Sequence, residues 1–172
     1  MMSGWIEPAL HVYEVENSWK NRRTFRAISR EICGQSMEPF EGSLVWFGEM
    51  IDQPTVKVLH HLETIVSVGS ATPADEEQTN HKKRDYCHQI DFLFVNKDYQ
   101  DKGYGSLMIL GMEEVLRKRK KRPIKVESAI RSVGFFKKLG YHEVGAQMQC
   151  IHPSCHLFSN LQPMEKFSEP KM

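Results

Sequence analysis

No stretch of this chain approaches the ~20 consecutive apolar residues that a membrane-spanning helix needs, so no such helix is expected. Residues 1–10 lack a basic segment followed by an apolar run, so no secretory leader is expected either. Charge of one sign is missing too. Lys and Arg total 23 against 22 Asp and Glu, which gives no general case for nucleic acid or a membrane surface as a partner. Cysteine is sparse: Cys33, Cys87, Cys150 and Cys155 are widely and unevenly placed. These absences together suggest an intracellular protein with reduced thiols, cytoplasmic or also nuclear. There is no internal repeat and no internal linker, and 172 residues suit a single domain over 1–172 with its core at about 10–160.

Several elements can be read from pattern. Residues 10–15 (LHVYEV) alternate enough for a first strand. Asn17 or Ser18 can cap a helix over about 19–33, with Phe25, Ile28 and Ile32 as its buried stripe and Gly34 as its stop. Its arginines (Arg22, Arg23, Arg26, Arg30) read as a solvated face. Residues 43–51 are strand-like, and 55–68 read as one long strand or two short ones. The polar stretch 75–85 (DEEQTNHKKRD) reads as a mobile loop. Residues 86–95 form the next strand, almost continuously apolar at its end, as in a central strand covered on both faces. A helix over 104–119, a strand over 124–128 and a helix over 131–139 ended by Gly140 follow. Further strands are expected at 141–144 and 147–152, and a third near 156–158, before a frayed tail from Gln162.

The stretch that organises the chain runs from the strand ending at Val95 into the helix beginning near Tyr104. Between them stand Gln100, Asp101, Lys102, Gly103, Tyr104 and Gly105, a Q-x-x-G-x-G pattern. A strand, a glycine-rich turn and a helix start make an anion-binding arrangement, because the N–H groups of a helix's first turn have no partner within the helix. Downstream comes Ser132–Tyr141 (SVGFFKKLGY), an aromatic pair followed by a glycine and another aromatic.

These two motifs, in this order, resemble the GNAT superfamily of acyl-CoA-dependent N-acyltransferases. The segment Gly134–Tyr141 is most similar to the histone-acetyltransferase branch. The resemblance is good over residues 90–144; before Tyr86 only the order of elements agrees. It implies an α/β fold: a mixed, mostly antiparallel sheet of six to seven strands, helices on both faces, and a central splay between two parallel strands. It also implies acetyl-CoA as cosubstrate, with acetyl chosen over longer acyl groups by family frequency. Backbone amides of Gln100, Asp101, Lys102, Gly103, Tyr104 and Gly105, continuing into Ser106, would bind the pyrophosphate. Asp101 departs from the usual basic or small residue, while Lys102 supplies a positive charge the family often has. The main chain of Leu93, Phe94 and Val95 would meet the pantetheine arm, with the Leu93 amide polarising the thioester carbonyl. Phe136 stands at the cofactor position where many members have a tyrosine general acid.

The implied reaction is direct acetyl transfer to an amine, which must lose a proton before it attacks. The histone-acetyltransferase base aligns with Gln89, which cannot serve. Asp91 stands two places later on the same strand face and is the candidate base. His88 and Glu63 are weaker candidates. The acceptor stays open: a protein lysine, a protein N-terminus, a polyamine or another small amine. A reading from another class is a CoA-binding regulatory module without catalysis, which Gln89 and Phe136 favour.

Two other clusters have plainer readings. The run 117–122 (RKRKKR) suits a solvated helix C-terminus, ahead of a nuclear-import segment or an acidic-partner patch. Cys150, His152, Cys155 and His156 lack paired C-x-x-C halves, and no metal site is expected. The pair His60 and His61 reads as strand surface.

Overall fold

The computed structural model describes residues 9–51, 64–149 and 160–167. Of the expected strands at 55–68 and 147–152, the parts at 55–63 and 150–152 lie outside the described residues, as do the strand near 156–158, Glu63, the His60–His61 pair and the Cys150–His156 cluster.

The first strand, β1 (Ala9–Val15), leads into helix α1 (Trp19–Cys33). Ser18 is the cap: its hydroxyl accepts from Asn21 N–H at 3.2 Å. Gly34 ends the helix in the left-handed region (φ 80°), and its N–H closes on Arg30 O. Strands β2 (Leu44–Ile51) and β3 (Ile65–Thr72) follow, both almost wholly buried. β4 (His88–Val95), helix α2 (Tyr104–Arg119), β5 (Ile124–Ala129) and the short helix α3 (Val133–Lys138) build the second half. Two-residue strands β6 (His142–Glu143) and β7 (Met148–Gln149) precede β8 (Asn160–Lys166).

All eight strands form one sheet, ordered β1-β2-β3-β4-β5-β8-β6, with β7 also on β8. Among the described residues only β4 and β5 run parallel, and every other pair is antiparallel. The sheet therefore has two short strands more than the smallest count expected. Helices cover both faces. Phe25 and Ile28 of α1 pack on Val45, Phe47, Val68 and Phe94. On the other face Met108, Ile109, Met112 and Leu116 of α2 and Phe136 of α3 pack on Trp46, Ile90, Val126 and Met164. A Cβ at Gly69 would stand 2.9 Å from Met112 Sδ, so a larger residue there would require the Met112 side chain to shift.

Two expectations need correction. Residues 162–166 are not frayed: they belong to β8, which pairs with β5 along its length and buries Gln162 and Met164. Burial alternates along β8, with Gln162 and Met164 turned inward, but the residue types do not alternate polar and apolar, so the sequence hides the strand. The stretch 75–85 is irregular, as expected of a loop, and hydrogen bonds hold it at several points. Asp75 N–H donates to Asp85 O at 2.7 Å, and Arg122 Nη1 donates to Gln78 O at 2.9 Å and Tyr86 O at 3.2 Å. Arg122 is accordingly buried, with its guanidinium 4.0 Å from the Tyr86 ring centroid, so the basic run is not solvated throughout. Arg117 is also engaged, reaching the buried Glu113 at 3.4 Å.

Candidate active site

The parallel ladder between β4 and β5 covers only His88–Ile124, Gln89–Lys125 and Ile90–Val126, whereas β4 stays paired with β3 up to Val95. The two central strands thus part after Ile90. Asn96 N–H donates to Val66 O at 2.8 Å. An antiparallel ladder alternates, so the N–H groups of Phe92 and Phe94 turn toward β3 while those of Leu93 and Val95 turn away, toward the gap. Of the three strand residues singled out by sequence, Leu93 and Val95 therefore present main-chain groups to the gap. Phe94 does not: its carbonyl also accepts the Ser67 hydroxyl at 2.9 Å, and its ring is buried under α1.

A bulge interrupts β4 within this region. Ala71 pairs with Ile90 and Ser70 with Phe92, which leaves Asp91 as the extra residue. The side-chain parity changes there. Ile90 and Leu93 pack on the α2 side, whereas Phe92 and Phe94 pack on the α1 side. Asp91 is partly exposed, and its Oδ2 accepts from Thr72 Oγ1 at 2.7 Å. Thr72 lies across from Gln89 in the ladder, so Gln89 and Asp91 sit at the same place on the sheet. The other strand candidate is excluded as a base. His88 is buried; its Nδ1 accepts from Ala74 N–H at 2.9 Å, so Nε2 carries the proton and donates to Lys120 O at 2.8 Å. Burial, the largest cause, holds its pKa below the usual histidine value.

Beyond the gap, the chain turns through Asn96, whose side chain accepts from Asp98 N–H, into Gln100. Gln100 Nε2 donates to Val95 O at 2.9 Å, a side-chain role that no sequence pattern announced. Asp101 (φ 61°) and Gly103 (φ 82°) both take left-handed backbone. Gly103 caps α2, and Leu107 N–H to Gly103 O is its first backbone bond. The amides of Tyr104, Gly105 and Ser106 therefore emerge from the helix start with no helical acceptor, where the macrodipole favours an anion. Lys102 lies over the Tyr99 ring at 5.6 Å. Gly103 has open space where a Cβ would stand, so its glycine is there for φ. Gly105 has a different reason: a Cβ there would meet Phe135 Cζ at 3.3 Å. Phe135 is thus the ring of the Phe135–Phe136 pair that touches the loop, while Phe136 is buried in the α2-side core against Tyr141.

A family model described as an acetyltransferase (GNAT) domain matches residues 29–152. The chain belongs to the GNAT family. GNAT domains use acetyl-CoA, and the emergent amides of α2 together with the Leu93 and Val95 main chain beside it are groups that suit such a cofactor. Among solved structures, the Escherichia coli ribosomal-protein-S18-alanine N-acetyltransferase shares the fold at TM-score 0.64 and 12% identity, over 95% of this chain and 97% of that one. A GCN5-related N-acetyltransferase from Kribbella flavida aligns at TM-score 0.60 and 15% identity, over 92% of this chain and 97% of its own. Escherichia coli ElaA aligns at 0.62 and 9%, over 92% and 99%. At such identities the likeness is one of fold. No curated protein sequence matches the chain. Among the described residues no His, Cys, Asp and Glu cluster suited to a metal occurs, and no helix is long and apolar enough to cross a membrane.

Proposed function

We propose that this GNAT domain transfers an acetyl group from acetyl-CoA to a primary amine by direct attack. The observation that carries the reading is the early end of the β4–β5 ladder, in line with the capped start of α2. Acetyl-CoA supplies an activated thioester. The amides of Gln100 to Ser106 hold its pyrophosphate, the Val95 main chain takes the pantetheine arm once Gln100 releases its carbonyl, and the Leu93 N–H steadies charge growing on the thioester oxygen. Asp91 accepts the proton that the attacking ammonium loses, with Thr72 holding its carboxylate in place. Water protonates the departing thiolate, because Phe136 has no proton to give and the Tyr141 hydroxyl is committed to Glu113 at 2.7 Å. The likeness of Gly134–Tyr141 to the histone-acetyltransferase branch favours a protein lysine among the acceptors, and the S18-alanine enzyme keeps a protein N-terminus among them.

Free-thiol release from acetyl-CoA across a panel of amines and lysine peptides tests this. Asp91→Asn should lower kcat by about a hundredfold or more, the usual range for a lost general base, and leave CoA affinity unchanged. Unchanged turnover in Asp91→Asn would remove Asp91 from the chemistry. CoA binding with no turnover on any amine would instead support the second reading, a CoA-binding regulatory module, to which Gln89 in place of the branch's glutamate points.

A further inference from the structure

The side of β4 that faces α1 carries a feature the transfer chemistry alone does not use. The ring of Phe92, next in chain to Asp91, packs against Phe25 and Phe94 from below and against Phe40 at 5.4 Å from above. Phe40 is 49% exposed, yet its place is firmly held. Asn17 Nδ2 donates to Phe40 O at 3.1 Å and Ser43 O at 2.9 Å, and Ser43 Oγ donates to Phe40 O at 2.7 Å. Glu38 of the same loop pairs with Arg26 at 2.7 Å. A pinned, half-exposed ring over a second ring, beside a carboxylate, suits an ammonium group on an apolar stem: the charge meets Asp91 and the stem lies on the rings.

The surroundings narrow the choice. Helix α1 carries Lys20, Arg22, Arg23, Arg26 and Arg30 against the single acid Glu31. Arg26 is neutralised by Glu38, and Arg23 lies 5.7 Å from the Trp19 ring. The net positive charge of α1, which packs over β4, disfavours a ligand that brings several positive charges more than one that brings a single charge.

Resting on the proposed transfer to amines, we infer that the acceptor is a monoamine on an apolar stem, not a polyamine, with its stem on Phe40 and Phe92. Calorimetric titration of amines into the CoA-saturated protein reads this without turnover. 2-Phenylethylamine should bind at least about tenfold tighter than ethylamine, since each tenfold requires only modest apolar burial. Phe40→Ala should remove that advantage and leave ethylamine and CoA affinities unchanged; Phe40→Leu should keep part of it. Spermidine should bind more weakly than 2-phenylethylamine. Tighter spermidine binding, or an equal effect of Phe40→Ala on ethylamine and 2-phenylethylamine, overturns the inference and leaves the rings as core closure. A protein that binds these amines as described but never acetylates them defeats the proposed function instead.

Discussion

Glu113 is the most consequential charge in the α2-side core, and its removal can be worked through. It is 1% exposed and sits on the third turn of α2. Its carboxylate accepts from Tyr141 OH at 2.7 Å, pairs with Lys166 Nζ at 3.0 Å and reaches Arg117 at 3.4 Å. These partners lie after α3, on β8 and one turn along α2, so the carboxylate ties three segments together. Tyr141→Phe deletes one charge-assisted bond and keeps both cations in place. That should cost about 1.5–3 kcal/mol. Glu113→Gln leaves Lys166, with a side chain only 14% exposed, facing a neutral amide, and should cost about 3–5 kcal/mol. For a chain of this size each kcal/mol lowers the midpoint by about 2–4 °C, so losses of about 3–12 °C and 6–20 °C are expected. Urea unfolding for the free energies and thermal melts for the midpoints, both followed by circular dichroism on the two single variants and the double variant, measure them. Burial first, then the Glu113 charge and bond, raise the Tyr141 pKa. Its contribution is thus fully present below the unfolded value near 10 and lost as pH rises past it, and Tyr141→Phe should flatten that alkaline decline. Glu113→Gln no worse than Tyr141→Phe, or Tyr141→Phe within about 0.5 kcal/mol of the parent, would refute a buried ion network here.

Further outcomes follow from single sites. Gly103→Ala should cost about 1–2 kcal/mol through its left-handed φ and weaken CoA binding, measured by calorimetry, although no atom obstructs the new methyl. Gly105→Ala should act through Phe135 instead, so a Phe135→Leu change in the same chain should recover part of the lost CoA affinity. His88 has a lowered pKa from burial, so its contribution holds above pH ~6.5 and falls away as the pH drops, and His88→Gln should remove that acid-side slope in thermal melts. Ser70 Oγ is buried without a hydrogen-bond partner among the described residues, so Ser70→Ala should be neutral or stabilising by up to about 1 kcal/mol in the same melts.

Much of the second half was legible because its signals are local. The run of apolar residues to Val95, the glycines at 103 and 105, and the stop at Gly140 each act on their own few residues, and β4, α2 and α3 form there. The caps of α1 were legible for the same reason. What was hidden depends on distant partners. Nothing near Gln162 announces a strand, since β8 exists by pairing with β5 and its residue types do not alternate polar and apolar. Nothing near Arg122 separates it from its five basic neighbours, because its burial follows from carbonyls at residues 78 and 86. His88 looked like a titratable strand residue until Ala74 and Lys120 occupied both its nitrogens.

The bulge at Asp91 shows why a strand's alternation alone does not assign this site. In an unbroken strand Ile90, Phe92 and Phe94 would share one face, and Leu93 would share the other with Asp91. The extra residue instead sends Ile90 and Leu93 to the α2 side and Phe92 and Phe94 to the α1 side. It does so where the ladder to β5 has just ended, so the unpaired stretch begins with a carboxylate bound to Thr72 and continues with the outward amide of Leu93. One inserted residue therefore sets a carboxylate beside Thr72 and an aromatic pair on the α1 side, and leaves main-chain donors in the gap. Deleting Asp91 should therefore be tolerated by the fold: Ile90 and Leu93 become two residues apart on the α2 side, Phe92 and Phe94 stay on the α1 side, and the register with β3 becomes continuous, while the carboxylate is lost. If the deletion variant were much less stable than Asp91→Asn in urea unfolding, Asp91 would not be the extra residue of a bulge.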